Sequence, residues 1–209
     1  MKKLSIFLVA LLALWVNVFS QTFEGILVMD MTAQGMNITQ EYKVKGDKAL
    51  IELKMGGIPV QKMYMNGEKK EMYMLMEKDQ KIAMKLKSDD INGKNDDKKQ
   101  PKVTVTKETK EILGYKCTKI IVEDDKKSTI AWVTKDLNLD FSKIAGGGKK
   151  GGNNVVLSKH GFPLELEGKD EQGTVTMKAT KVEKTSIDSS VFPDLSQYQV
   201  QEMPSMMGK

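Results

Sequence analysis

The sequence predicts a mostly β protein: a curled antiparallel sheet, an open half-barrel, with one or two short covering helices. Apolar and polar residues alternate with period two through most of the chain, and turn dipeptides separate the alternating runs. Helical periodicity is confined to one short stretch. Short strands joined by turns make an antiparallel meander, and so many strands must close or curl around something.

Residues 1–20 have the layout of an export signal. Lys2 and Lys3 precede an apolar run from Leu4 to Phe19, and Val18 and Ser20 are small residues at the cleavage positions. The expected cut lies between Ser20 and Gln21. The run is shorter than the roughly 20 residues that span a bilayer. The processed chain is therefore expected to carry no transmembrane segment and to work in the periplasm or as a secreted protein. A single β domain is expected over 21–198, followed by a flexible tail at 199–209.

Phe23, Leu27, Met29 and Met31 share one parity, as do Met36, Ile38, Tyr42 and Val44, and then Ala49, Ile51, Leu53 and Met55. Gln34-Gly35, Gly46-Asp47, Gly56-Gly57, Asn66-Gly67 and Asn92-Gly93 supply the turns between runs. Further strands are expected at 72–76, 82–87, 103–108, 115–123, 129–134, 155–159, 163–168 and 173–183. A short helix is expected at 136–145, with Asp136 as its cap, Leu137, Phe141 and Ile144 on one face, and Gly146 as its stop. The glycine-rich stretch 146–154 reads as a loop. It lacks the Gly-Lys-Ser/Thr of a phosphate loop.

Composition narrows the function. None of the 33 basic residues is arginine, the side chain that grips phosphates and guanine edges in two-pronged fashion, so no nucleic-acid partner is expected. The net charge of +5 includes both signal lysines, and the remaining lysines are interleaved with acids. One cysteine, Cys117, and one histidine, His160, form no catalytic constellation, so no enzymatic activity, metal centre or cofactor is expected. Cys117 reads as a small buried hydrophobe and His160 as a turn residue.

Methionine is the compositional anomaly, at fifteen residues. An even-length loop between Met65 and Met72 would place Met63, Met65, Met72, Met74 and Met76 on one face of a hairpin. Ile82, Met84 and Leu86 join that face only if the connection around 77–81 is odd in length or bulged. Three readings fit: ordinary core filling, a pliable apolar wall for a flexible ligand such as an acyl chain, or a soft Cu(I) site built from Met-x-Met pairs. On the second reading, Tyr42, Met63, Met65, Met72, Met74, Met76, Met84 and Trp132 line the wall, and Leu137, Phe141 and Ile144 form a lid.

The run Glu108–Cys117, read as Glu-Thr-Lys-Glu-Ile-Leu-Gly-Tyr-Lys-Cys, resembles the central signature of a secreted bacterial family catalogued as domain of unknown function 4412. Phe23-Glu24-Gly25, Trp132-Val133-Thr134, Gly161-Phe162-Pro163-Leu164 and Ile187-Asp188-Ser189-Ser190-Val191-Phe192 fit the same resemblance, in the same order. It implies an architecture similar to the outer-membrane lipoprotein carriers, in which helices cover the concave apolar face of a curled sheet. Those carriers use an arginine in gating, and this chain has none. The expectation is a non-enzymatic envelope protein holding an acyl chain, a lipid or a lipidated partner. The alternatives are a Cu(I) binder and a structural or adhesive module with no small ligand.

Overall fold

The computed structural model describes residues 22–86, 101–124, 127–140, 153–171 and 173–203. The first half of the sheet comprises β1 (Glu24–Ala33), β2 (Met36–Lys45), β3 (Lys48–Met55), β4 (Ile58–Asn66), β5 (Glu71–Met76) and β6 (Ile82–Leu86). The second comprises β7 (Lys102–Ile112), β8 (Tyr115–Glu123), β9 (Ser128–Thr134), β10 (Phe162–Asp170), β11 (Gly173–Lys184) and β12 (Gln199–Glu202). All twelve belong to one open sheet in the order β12-β6-β5-β4-β3-β2-β1-β11-β10-β9-β8-β7. Every pairing is antiparallel except that of β12 with β6.

Local chemistry explains the meander. Gln34 and Gly35 have φ of 50° and 78°, and Gly56 and Gly57 have 58° and 82°. Both central residues of these hairpins are left-handed, as in the two-residue turn whose twist matches that of the flanking strands. Register shifts interrupt the ladders at Val28/Met29, Leu53/Lys54, Val105/Thr109 and Pro163/Glu165. An extra residue bends a strand and raises its twist, which curls the sheet.

Two glycines of the family-like motifs have a steric reason. A Cβ on Gly25, at φ 154°, would stand 2.0 Å from the Glu183 carbonyl oxygen on the neighbouring β11. One on Gly161, at φ 136°, would stand 2.5 Å from the Thr134 carbonyl oxygen. Only a hydrogen fits at either place.

Three apolar clusters hold the fold. The main one gathers Leu27, Met29, Tyr42, Ile51, Met65 and Met72 from β1 to β5 with Ile112, Cys117, Leu137 and Phe162. A second lies where the segment after β11 crosses the other side of β3–β6, seating Ile187 and Phe192 on Tyr64, Tyr73, Leu75 and Ala83. That crossing segment is pinned at one end by Glu24, which accepts the Ile187 N–H at 2.8 Å. Its other end is held by Tyr198, which donates to Glu77. The third places Leu157 against Ile120, Val122, Ala131 and Val133.

Three expectations are corrected. Residues 155–159 are not a strand: Asn153–Ser158 form a one-and-a-half-turn helix, α1, which carries Leu157 into the third cluster. The expected helix at 136–145 does not begin at Asp136. Residues 135–137 are bend and turn, and 138–140 have no regular structure. The Thr134 hydroxyl accepts the Asp136 N–H at 3.2 Å, and Asn138 adopts φ 47°, which breaks any helical path. Phe141 and Ile144 lie outside the described residues. Finally, 199–202 do not belong to a frayed tail but form β12, where Gln199 and Met203 donate backbone N–H groups to the carbonyls of Lys81 and Lys85.

Candidate functional site

The strand registers arrange one face of the sheet in cross-strand rows. One row runs Leu27–Tyr42–Ile51–Met63–Met74–Met84 from β1 to β6. Beside it runs Val44–Ala49–Met65–Met72–Leu86. The connection between β4 and β5 holds four residues, 67–70, so Met63 and Met65 stand opposite Met74 and Met72. The connection between β5 and β6 holds five, 77–81, so Met76, Met74 and Met72 stand opposite Ile82, Met84 and Leu86. Both loop lengths match the expectation from parity. Followed through every register, eleven of the fifteen methionines fall on this face: Met29, Met31, Met36, Met55 and Met177 join the six of β4–β6.

Burial falls off across the face. Met65 and Met72 are buried, Met63, Met74 and Met84 are half-buried, and Met76 is exposed. The gradient is clearest along the row Met177–Met31–Ile38–Met55–Ile58. Met177 is 9 % exposed at one end and Ile58 69 % at the other. Three polar side chains stand within the wall, Tyr42 in the first row and Gln40 and Gln61 in the parallel row Met29–Gln40–Leu53–Gln61. Tyr42, buried so that its hydroxyl pKa is driven far up, donates to Gln40 Oε1. Gln40 Nε2 in turn lies 3.8 Å from Met31 Sδ.

The remaining expected site residues lie elsewhere. Trp132 stands on β9, with five strands between it and β4; it packs, partly buried, against the main cluster but is not in the rows of β1–β6. Its ring lies under Lys110 Nζ, 4.3 Å from the centroid, and its cross-strand partners are Lys119 and Glu165. Lys110 continues past the ring to Glu165 at 2.8 Å. Leu137 is buried in the main cluster, held there by a turn rather than by a lid helix. Cys117 is fully buried and burial pushes its thiol up to about 11, which suppresses the reactive thiolate.

Two clefts, of about 600 and 550 Å³, open beside the described strands, the first reaching the methionine face only at Ala49. The first is lined by Lys48, Lys135, Asn138 and Lys159 among others, the second by Lys62, Tyr64, Glu77, Phe192 and Tyr198 beneath the crossing segment. Neither contains a methionine. Among the described residues no cluster of three His, Cys, Asp or Glu side chains is arranged to hold a metal ion. No helix among them is long and apolar enough to cross a membrane.

Fold and face together define a single-sheet, mostly antiparallel β protein. The chain belongs to the family described as Domain of unknown function (DUF4412), whose model matches residues 23–198. Among solved structures it is similar to PNGF-II in its C2 crystal form, with 18 % identity and a TM-score of 0.51, covering 87 % of this chain and 31 % of that one. The P21 form of PNGF-II gives 17 % identity and a TM-score of 0.48, covering 85 % and 31 %. The chain thus spans about a third of PNGF-II, and the likeness is one of fold. No curated protein matches it.

Proposed function

We propose that the protein is a non-enzymatic envelope protein, exported with cleavage near Ser20-Gln21, that holds an apolar ligand on its methionine face. The ligand class is an acyl chain, free or carried by a lipid or lipidated partner. One observation carries this reading: a largely apolar face with eleven methionines, crossed by Tyr42, Gln40 and Gln61, whose row Met177–Ile58 passes from buried core to solvent without a polar residue. Methionine is unbranched and polarisable, so such a wall reshapes itself around a flexible chain. Binding would come from desolvation, at about 0.8 kcal/mol per buried CH₂ and so on the order of 8 kcal/mol for ten methylenes, before ordering costs are subtracted.

A second reading has its own support. Met74 is paired with Met63 on one side and Met84 on the other, which lines up three thioethers, ligands that favour Cu(I). The double substitution Met72→Leu/Met74→Leu separates the two. Leucine nearly conserves volume and removes the sulfur. On the acyl reading, a fluorescent fatty acid binds the wild-type protein and the variant with similar affinity. If wild type ignores the fatty acid but takes Cu(I) at a defined stoichiometry that the variant loses, the soft-metal reading replaces it.

A further inference from the structure

Among the described residues, six of the ten exposed large apolar side chains stand around two hairpin tips and the adjoining strand ends at one end of the sheet. Met36, Met55, Ile58, Val60, Met76 and Val175 are each at least 39 % exposed. All stand where the β1–β2 and β3–β4 hairpins turn, where β5 ends, or where β11 begins. Ile38 pairs with Met55, so the two hairpin tips are neighbours.

These tips are also free of charge. Residues 31–40 and 55–61 contain no Asp, Glu or Lys in seventeen positions, where the chain's charged fraction of 29 % would place about five. The charges that flank the two segments in sequence are partnered. Asp30 accepts from Thr39 at 2.7 Å, Lys54 meets Glu41 and Glu52 at 2.7 and 3.2 Å, and Lys62 meets Glu77 at 2.9 Å. Both turns are two-residue turns with left-handed central residues, a tight geometry that holds the apolar side chains outward.

We propose that these two hairpin tips dock on the surface of a lipid bilayer, seating Met36, Met55, Ile58 and Val60 among the upper acyl segments. This rests on the reading of the methionine face as an acyl-chain site, because the row Met177–Ile58 leads from the tips into that face. The complement is a hydrocarbon boundary rather than an anionic surface. A charge-free tip loses no ionic hydration on insertion, and it presents no cation to anionic head groups. Polar Asn37 and Gln61, farther from the turns, remain at head-group level.

The test uses the processed full-length protein and phosphatidylcholine vesicles in a flotation assay. The proposal expects wild type to float with the vesicles, with little change at roughly 0.5 M salt, where exposed charges are screened beyond a few Å. The double variant Pro59→Asp/Val60→Asp, which charges the β3–β4 tip at exposed positions outside the methionine rows, should partition at least about tenfold less. Its binding of a fluorescent fatty acid in vesicle-free buffer should persist, which distinguishes loss of docking from loss of the acyl site. Independently of that variant, Ile58→Trp should be quenched by brominated acyl chains and Leu113→Trp, at an exposed position in the β7–β8 turn at the opposite end of the sheet, should not. Flotation that needs anionic lipid and disappears in salt overturns the proposal. So does unchanged flotation of the double variant. Self-association through the tips without vesicle binding also overturns it, assigning the patch to a second copy of the chain.

Discussion

Met63 on β4 stands directly opposite Met74 on β5, and Met74 stands directly opposite Met84 on β6. Three adjacent strands thus present thioethers at one level, between the buried Met65–Met72 pair and the exposed Met76. A single structural gradient follows, and it sets the cost of substitution along the wall.

Met65→Ala should lower unfolding free energy by about 2–5 kcal/mol, since it removes buried volume from a closed region of the core. Met76→Ala, at 39 % exposure, should stay within about 0.5 kcal/mol of wild type. Urea unfolding of both variants checks the pair. Equal costs would mean that the gradient in exposure is not a gradient in packing.

Gly25→Ala should destabilise by several kcal/mol or prevent folding, because the new methyl group would meet the Glu183 carbonyl and separate β1 from β11. Gly35→Ala, at φ 78° with open space around the new methyl group, should cost only about 1 kcal/mol of backbone strain. Thermal midpoints of the two variants make the comparison.

The segment crossing β3–β6 should loosen in acid before the sheet does. Its anchoring carboxyls all have lowered pKa values. Glu24 is held down by the Ile187 N–H, Glu77 by the Tyr198 hydroxyl, and Asp188 and Asp194 by hydrogen bonds from Ser190 and Ser196. A lowered folded-state pKa gives stability that is present above the ordinary carboxyl range and lost as pH falls through the folded value. The loss therefore begins below about pH 4.5. On the alkaline side, Tyr198 is pushed up to about 12, so its contribution is complete below pH 10 and fades above it. Hydrogen exchange at residues 187–198 as a function of pH reads out both limits, and acid exchange no faster than in β2 and β3 would contradict the anchoring role.

Cys117 should resist iodoacetamide in the folded protein at pH 8 and react once denatured, because its thiol sits at about 11 with no exposed surface. Rapid native labelling would mean that the β7–β8 hairpin opens.

Much of this was legible in the sequence, for a physical reason. Where one face of a strand is buried and the other wet, side chains alternate, so β1, β2, β3 and β8 could be read from parity and turn residues alone. The same parity, with loop lengths, put Met63, Met65, Met72, Met74, Met76 and Met84 on a common face. Val155-Val156-Leu157 was misread as a strand because a three-residue apolar run carries no period. β12 was missed because Gln-Val-Gln-Glu is exposed throughout and joins β6 by backbone bonds that side chains do not announce. The spacing of Leu137, Phe141 and Ile144 suggested a helix, but a left-handed Asn138 and the Thr134 hydroxyl fix a turn at its start. Residue type alone points Trp132 to the wall, whereas register sets it beside Lys119 and Glu165 while its ring packs against the main cluster. The charge-free tips had a sequence signal, an absence of charge over 31–40 and 55–61, which a search for apolar residues alone passes over.

The central claim, that the methionine face holds an acyl chain, is tested most directly on protein purified from its native host without added lipid. Denaturing mass spectrometry of its organic extract should reveal a fatty acid, lipid or lipid-derived acyl chain at near-stoichiometric amount, and at a much lower amount after Ile51→Asp and Met63→Asp substitution of the wall. An extract free of acyl species, from protein that also fails to take up a fluorescent fatty acid, would contradict the account.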